Sequence, residues 1–371
     1  MKMRSVSVAR RAALAACLLA GCPASNAAAT NAYWHGGNNA GWSTGITPGT
    51  NRSNWYSVPP PTVDAPDGTA RQPPTGTAIF SRGGKQHVAI SEQTTISTMR
   101  FTPGAPPYSF LITEDGRLDV IGGGLINEAV STPDFLVSGG GILAFTNAAR
   151  IVSREGKKTP ISVFGGRLQF HGESHGGDAT VVNTEYGALA GLVSFDGLSS
   201  GGRMTINNRG DAGTQFLGRS NPGVAQLTNN ADFLSSKRPI INLAPTRGAK
   251  GDHNISAGKI VNNAGKVQIG ENALTVHGDF TQRSAGTLYL LAIGARAGGM
   301  NVRGSAKIDG GLAVESTGSA SGVQPGRHVI LRAGGALSGR FSRVDFNGFP
   351  PHLKARIAYL GTDVVLFIER R

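Results

Sequence analysis

Three stretches of this chain superimpose without a gap. FHGESHGGDATVVN from Phe170, FDGLSSGGRMTINN from Phe195 and FLGRSNPGVAQLTN from Phe216 each fit F-x-G-x-S-x-x-G-x-x-x-[VIL]-x-N. The phenylalanines are 25 and 21 residues apart, within the range of solenoid repeats. A unit that short cannot bury its own apolar side, so it must stack on its neighbours. Stacked in register, Phe170, Phe195 and Phe216 form one apolar column, and Val181, Ile206 and Leu227 form a second. Asn183, Asn208 and Asn229 then lie one above another, where side-chain amides can bond along the stack. Gly172, Gly197 and Gly218 fall where a turn needs a left-handed backbone.

The rest of the chain follows the same plan more loosely. Short apolar runs at 87–90, 96–101, 110–112, 118–121, 135–137 and 142–145 read as strands. Gly122-Gly123-Gly124 and Gly139-Gly140-Gly141 read as turns between them. Glycine supplies 54 of 371 residues, which disfavours helices, and it lacks the three-residue period of collagen. With 39% hydrophobic residues the chain has enough apolar surface for a core. The expected fold is all-β: a right-handed, single-stranded parallel β-helix. Trp34, Trp42 and Trp55, the only tryptophans, suit an N-terminal cap over the open apolar end better than a sugar-stacking platform. Four segments are expected: a signal peptide over 1–27, cap and Pro-rich excursion over 28–75, repeat-bearing coils over 76–269, and C-terminal coils over 270–371.

Lys2, Arg4, Arg10 and Arg11 precede the short apolar run 12–20, the pattern of an export signal. Two processing sites are legible. Ser25-Asn26-Ala27 suits ordinary cleavage before Ala28, and Leu19-Ala20-Gly21-Cys22 suits lipidation of Cys22. Both cysteines, Cys17 and Cys22, lie in this leader, so cleavage before Ala28 leaves no thiol to form a disulfide. No later apolar run is long enough for a transmembrane helix. Without the four leader cations the balance is 32 minus 23, or +9, and it is uneven: 7 minus 8 over 28–150, and 25 minus 15 over 151–371. The cations are scattered and few aromatics lie among them, which suits a solvated surface better than nucleic acid.

Several local patterns invite a chemical reading. Gly172 to Gly176 and Gly197 to Gly201 match G-x-S-x-G, but the elbow that presents a nucleophilic serine joins a strand to a helix. Here Ser174 and Ser199 simply hold the fifth position of the repeat. His171, Glu173 and His175 alternate, so a strand places all three on one face with Asp178 nearby, a set able to hold a metal. The equivalent positions in the other repeats do not keep these residues, so the expectation is no metal, no cofactor and no catalytic set. Arg209-Gly210-Asp211 follows the repeat's Asn208, where a turn is expected, and is a candidate adhesion tripeptide.

Other segments point to a family. YWHGGNNAGW from Tyr33, GGGLINEAV from Gly122 and GGGILAFTNAA from Gly139 resemble the opening coils of bacterial autotransporter passengers. LTVHGDFTQRSAGTLYL from Leu274, VRGSAKIDGGLAV from Val302, HVILRAGGALSGRFSRV from His328 and LKARIAYLGTDVVLFI from Leu353 resemble the passenger-associated transport repeat and the last coils before the membrane barrel. The resemblance implies a right-handed β-helix displayed outside the cell and active in adhesion or self-association. Its partners are then cell-surface polymers, of a host or otherwise, or another copy of the chain. No barrel-patterned segment follows within the residues up to Arg371, so the expectation is a passenger-like protein without its own barrel. A β-helical polysaccharide lyase or hydrolase is the alternative; it requires two carboxylates facing one another across a cleft. A truncated passenger without activity is the third reading.

Overall fold

The computed structural model describes residues 29–37, 39–43, 53–59, 70–231, 238–243, 255–270, 273–293, 296–316 and 324–371. The expected signal peptide over 1–27, Cys22 and most of the Pro-rich excursion lie outside the described residues. Described residues form strands and turns with no helix, and hence no helix able to cross a membrane. The strands stack in parallel as a β-solenoid of about 9 turns.

Short strands with alternating burial form because one side of each coil must face the axis while the other meets water. On the first face, Ile96, Val120, Phe145, Phe170, Phe195 and Phe216 pair in succession from coil to coil. On the second face the inward column runs Val88, Phe110, Phe135, Ile161, Val181, Ile206, Leu227, Ile260 and Phe280. The third face carries Ala78, Met99, Leu125 and Ile151 early, and Ile255, Leu274, Met300 and Leu331 late. All these columns meet along the axis in one continuous core.

The three repeats occupy equivalent places in three successive coils. Rings of Phe145, Phe170, Phe195 and Phe216 stack nearly parallel, with centroids 5.2, 4.7 and 4.5 Å apart. Asn183 Nδ2 donates to Asn208 Oδ1 (2.9 Å) and Asn208 Nδ2 to Asn229 Oδ1 (3.1 Å), all three fully buried. Asn262 and Gln282 extend the same inward row in the next coils. The turn after each phenylalanine has Gly172, Gly197 and Gly218 at φ of 67°, 72° and 60°. One coil earlier Asn147 fills that place at φ 56°, the only non-glycine among the described residues with positive φ. Asparagine tolerates that conformation better than most side chains.

One glycine run departs from expectation. Gly139 and Gly140 do form a turn, whereas Gly122, Gly123 and Gly124 lie inside the strand Arg117–Asn127. That strand bends from the first face to the third without leaving the ladder. The register slips between Ile96 and Thr98 of its neighbour, and Gly124 turns the corner at φ 90°.

Antiparallel strands occur at both ends. At the start, Ala32–Trp34 pairs antiparallel with Trp55–Tyr56, which pairs antiparallel with Ala70–Arg71. Trp34, Trp42 and Trp55 are buried against one another and Phe80, with Trp34–Trp55 and Trp42–Trp55 centroids 5.1 and 4.8 Å apart. Trp34 Nε1 donates to Lys85 O (2.7 Å) and Trp55 Nε1 to Trp42 O (2.8 Å), so the rings plug the end of the core and offer no exposed stacking platform. At the other end the chain abandons parallel coiling. Leu353–Leu360 and Asp363–Arg370 form an antiparallel hairpin around Gly361 (φ 61°), and the hairpin pairs antiparallel with Gly326–Ala333.

Candidate functional site

The third face is where the coils are least regular. Arg150–Ser153 and Ile255–Ala257 are proper strands there, but the three repeat coils between them touch only through single parallel bridges. These bridges run from Arg150 to His175, His175 to Ser200 and Ser200 to Asn221. In each coil the bridge residue is followed by a turn glycine, Gly177, Gly202 or Gly223, at φ 60°, 64° and 70°. Stacked glycines present no side chain outward, so the surface sinks into a trough of about 620 Å³. It runs along the solenoid axis from the Arg150 coil to the Ser256 coil, four strand spacings or roughly 19 Å at about 4.8 Å each. Exposed Val152 and Val224 border it, and Ser256 lies at its far end.

The bridge residues hold the turns shut. The Gly177 N–H donates to His175 Nδ1 (2.9 Å), the Gly202 N–H to Ser200 Oγ (3.1 Å) and the Gly223 N–H to Asn221 Oδ1 (2.9 Å). Each side chain thus supplies an acceptor two residues ahead of the glycine, the local bond that lets Asn and Ser favour turns. Sequence reading missed this position because its residue type changes from coil to coil. The shared signal was a side-chain acceptor directly after the repeat's serine. As His175 Nδ1 accepts a bond, its proton sits on Nε2. Burial, helped by the Arg150 and Arg203 cations and opposed by Asp178, holds the imidazole pKa below its ordinary value.

Asp178 is the single carboxylate in the trough lining, and Arg203 holds it in a bidentate pair, Nε–Oδ1 2.7 Å and Nη2–Oδ2 2.6 Å. That pair, with lesser help from Lys158 and His175, lowers the Asp178 pKa against a smaller opposing effect of burial.

The expected alignment of His171, Glu173 and His175 is not what the chain adopts. His171 to Ser174 form a turn through Gly172, so strand alternation never applies to them. Only His175 and Asp178 reach the trough, and no cluster of three metal-ligating side chains occurs among the described residues. The serines of the two G-x-S-x-G matches point into the protein. Ser199 Oγ donates to Phe170 O (3.2 Å), Ser220 Oγ does the same to Phe195 O (3.1 Å), and Ser174 is buried in the equivalent place. Arg209, Gly210 and Asp211 make the tight turn between Thr205–Arg209 and Gly213–Phe216. Arg209 is exposed, Gly210 is buried at φ 59° over the Glu185 side chain, and Asp211 is half-buried.

No family model matches the chain, and no curated protein matches it. Its architecture and the trough therefore have to speak for themselves. They describe a solenoid with a shallow depression running lengthwise on its third face.

Proposed function

We propose that this chain is an exported, non-enzymatic surface or secreted protein that binds other molecules along its side, in adhesion or self-association. The observation that carries this reading is the lengthwise trough built by the repeat itself. A depression that continues from coil to coil suits an extended polymer better than a small molecule. Antiparallel strands cover part of each end, whereas this trough lies open on a flank. The resemblance to autotransporter passengers and the basic, apolar leader support a destination outside the cell. A glycan-cleaving reading needs a pair of facing carboxylates. The trough lining holds Asp178 alone, and Arg203 occupies both of its oxygens.

The test is intact mass spectrometry of the protein from membrane, periplasmic and medium fractions, joined to an adhesion assay on a deletion strain. Protein starting at Ala28 in the medium, or at Cys22 with acyl mass in the membrane, supports export. Loss of adherence or of self-aggregation on deletion, restored by added purified protein, supports the binding role. Protein retained in the cytoplasm with its leader intact refutes export. Release of reducing ends or unsaturated uronates from a polysaccharide refutes the non-enzymatic role.

A further inference from the structure

A second trough lies on the first face, nearer the C-terminal end, and its chemistry differs from the first. Lys266, Thr287, Gly311 and Arg343 pair in succession across four coils, so they form one outward row along the axis. Gly311 leaves a gap in that row. A Cβ there would sit 3.0 Å from Thr287 Oγ1 and 3.1 Å from Arg343 Nη2, so both side chains lean over the empty place. Gly265, Gly286 and Gly310 empty the adjoining corner of the coils, and together they open a cavity of about 530 Å³ with Arg238 on its rim.

The lining has three cations and no carboxylate. In the first trough, by contrast, Asp178 pairs with Arg203, and here, among the described residues, Arg343 alone has an ion-pair partner, Asp345, which lies outside the lining. Lys266 is half-buried, and among the described residues no carboxylate lies within ion-pair distance of its ammonium. Instead Nζ sits 3.5 Å above the Tyr289 ring. Burial lowers its pKa, opposed only by the more distant Glu315. Arg343 gives Nε to Asp345 (3.0 Å), which leaves the Nη groups beside the gap at Gly311.

We infer that this trough is a binding site for a linear acidic polysaccharide bearing carboxylate or sulfate groups. Lys266 and Arg343 arise from backbones three coils apart, with Arg238 one coil before Lys266, so the cations are strung along the axis rather than gathered at one point. A chain with charges repeated along it can meet both, and the hydroxyls of Ser284, Thr287 and Ser342 suit the neutral groups between. Single-stranded nucleic acid also repeats its charge, but it binds by stacking bases on aromatic rings. The aromatic ring in this lining, Tyr289, has Lys266 over its face. The inference rests on this trough alone and does not depend on where the protein resides.

The experiment uses purified protein and fluorescence anisotropy with a labelled heparin oligosaccharide, an oligogalacturonate, a neutral dextran of similar length and a single-stranded oligonucleotide. Heparin or oligogalacturonate should bind and dextran should not; which of the two binds more tightly separates sulfate from carboxylate recognition. Lys266→Gln with Arg343→Gln should weaken binding by about tenfold or more, as expected for losing two charge-assisted contacts. Gly311→Leu should weaken it comparably without changing any charge, because it fills the gap. Lys307→Gln with Lys354→Gln removes two exposed cations elsewhere and should leave affinity within about twofold. The inference is overturned if neither acidic glycan binds, if the trough variants bind like the parent, or if the distant pair loses as much as the trough pair. It is equally overturned if the oligonucleotide binds as tightly as the glycans with the same dependence on Lys266 and Arg343.

Discussion

The buried amide ladder makes a sharp energetic forecast, because its members are not equivalent. Asn208 sits in the middle. Its Oδ1 accepts from Asn183 Nδ2 (2.9 Å) and Thr214 Oγ1 (2.9 Å), and its Nδ2 donates to Asn229 Oδ1 (3.1 Å). Asn208→Ala therefore strands the Thr214 hydroxyl and Asn229 Oδ1, both in buried residues. A buried polar group left without its partner costs about 1–3 kcal/mol, so the substitution should cost about 2–6 kcal/mol. Asn183 is the control. Its own Oδ1 makes no bond, and its Nδ2 serves Asn208 Oδ1 and Gly213 O (2.8 Å). When Asn183 is truncated, Asn208 Oδ1 keeps its bond from Thr214, so Asn183→Ala should cost about 1 kcal/mol. The two substitutions remove identical atoms from equally buried sites, so cavity terms largely cancel in the comparison.

A stacked array need not unfold in one step, so a single denaturation midpoint is an incomplete readout. The comparison should pair urea denaturation with hydrogen exchange of the Thr205–Arg209 strand amides, which report opening of that coil. Protection there should fall far more for Asn208→Ala than for Asn183→Ala. Equal losses in the two variants, or a loss below about 0.5 kcal/mol for Asn208→Ala, would refute the claim that the ladder is bonded along its length.

Phe195 is stacked on both sides and fully buried, so Phe195→Ala should cost about 3–5 kcal/mol by thermal or chemical denaturation, and Phe195→Leu clearly less. Gly177 and Gly187 share a left-handed backbone, at φ 60° and 59°, yet a Cβ at Gly177 would overlap the Ile151 carbonyl while one at Gly187 meets nothing within 4 Å. Gly187→Ala should thus cost only about 1–2 kcal/mol of conformational strain, and Gly177→Ala more than about 3 kcal/mol; similar melting shifts in the two would contradict this. His35, His175 and His328 all have pKa values lowered from 6.5, burial being the largest cause in each. The unfolded chain then binds more protons below that value, so stability should be full above about pH 6.5 and decline as pH falls through the folded pKa values. His175→Asn keeps an acceptor for the Gly177 N–H, as Asn221 does two coils on, and should flatten part of that decline in melting curves taken from about pH 8 to pH 5.

The middle coils were legible because their inward columns repeat the same residues. Phe170, Phe195 and Phe216 announce the register directly, and Asn183, Asn208 and Asn229 confirm it. The Lys266 trough was not legible, since its row is separated along the chain by 21, 24 and 32 residues, from 266 to 287, 311 and 343. No fixed period connects those positions, and only backbone pairing reveals that they are neighbours. Alternation misled at His171, Glu173 and His175, because Gly172 places the first two in a turn. A run of glycines misled at Gly122 to Gly124, where a corner inside a continuous strand needs the same permissive residue as a turn does. The terminal hairpin carried its own signal, two alternating runs around Gly361-Thr362, which was read as further coils because of the family resemblance.

The ends of the stack bear on how copies of this protein can meet. A parallel stack that ended on a bare coil would expose a full edge of unpaired backbone groups, a template for another copy to continue the ladder. Here the antiparallel pair at Ala32–Trp34 covers part of the first edge, and the hairpin over 353–370 covers the last third-face strand. The hairpin buries Val364, Val365 and Leu366 completely, so it seals the end of the core as well as the edge. On the other two faces of the last coil, Leu337–Gly339 and Arg343–Asn347 each pair, among the described residues, with a neighbour on one side only. On the flanks, glycine rows have cleared two troughs. The first has Asp178 paired with Arg203, whereas the lining of the second has three cations and no carboxylate, so salt should separate them. Raising ionic strength should weaken polyanion binding at Lys266 and Arg343 strongly, and should weaken less any association through the first trough, where Asp178 and Arg203 offset one another.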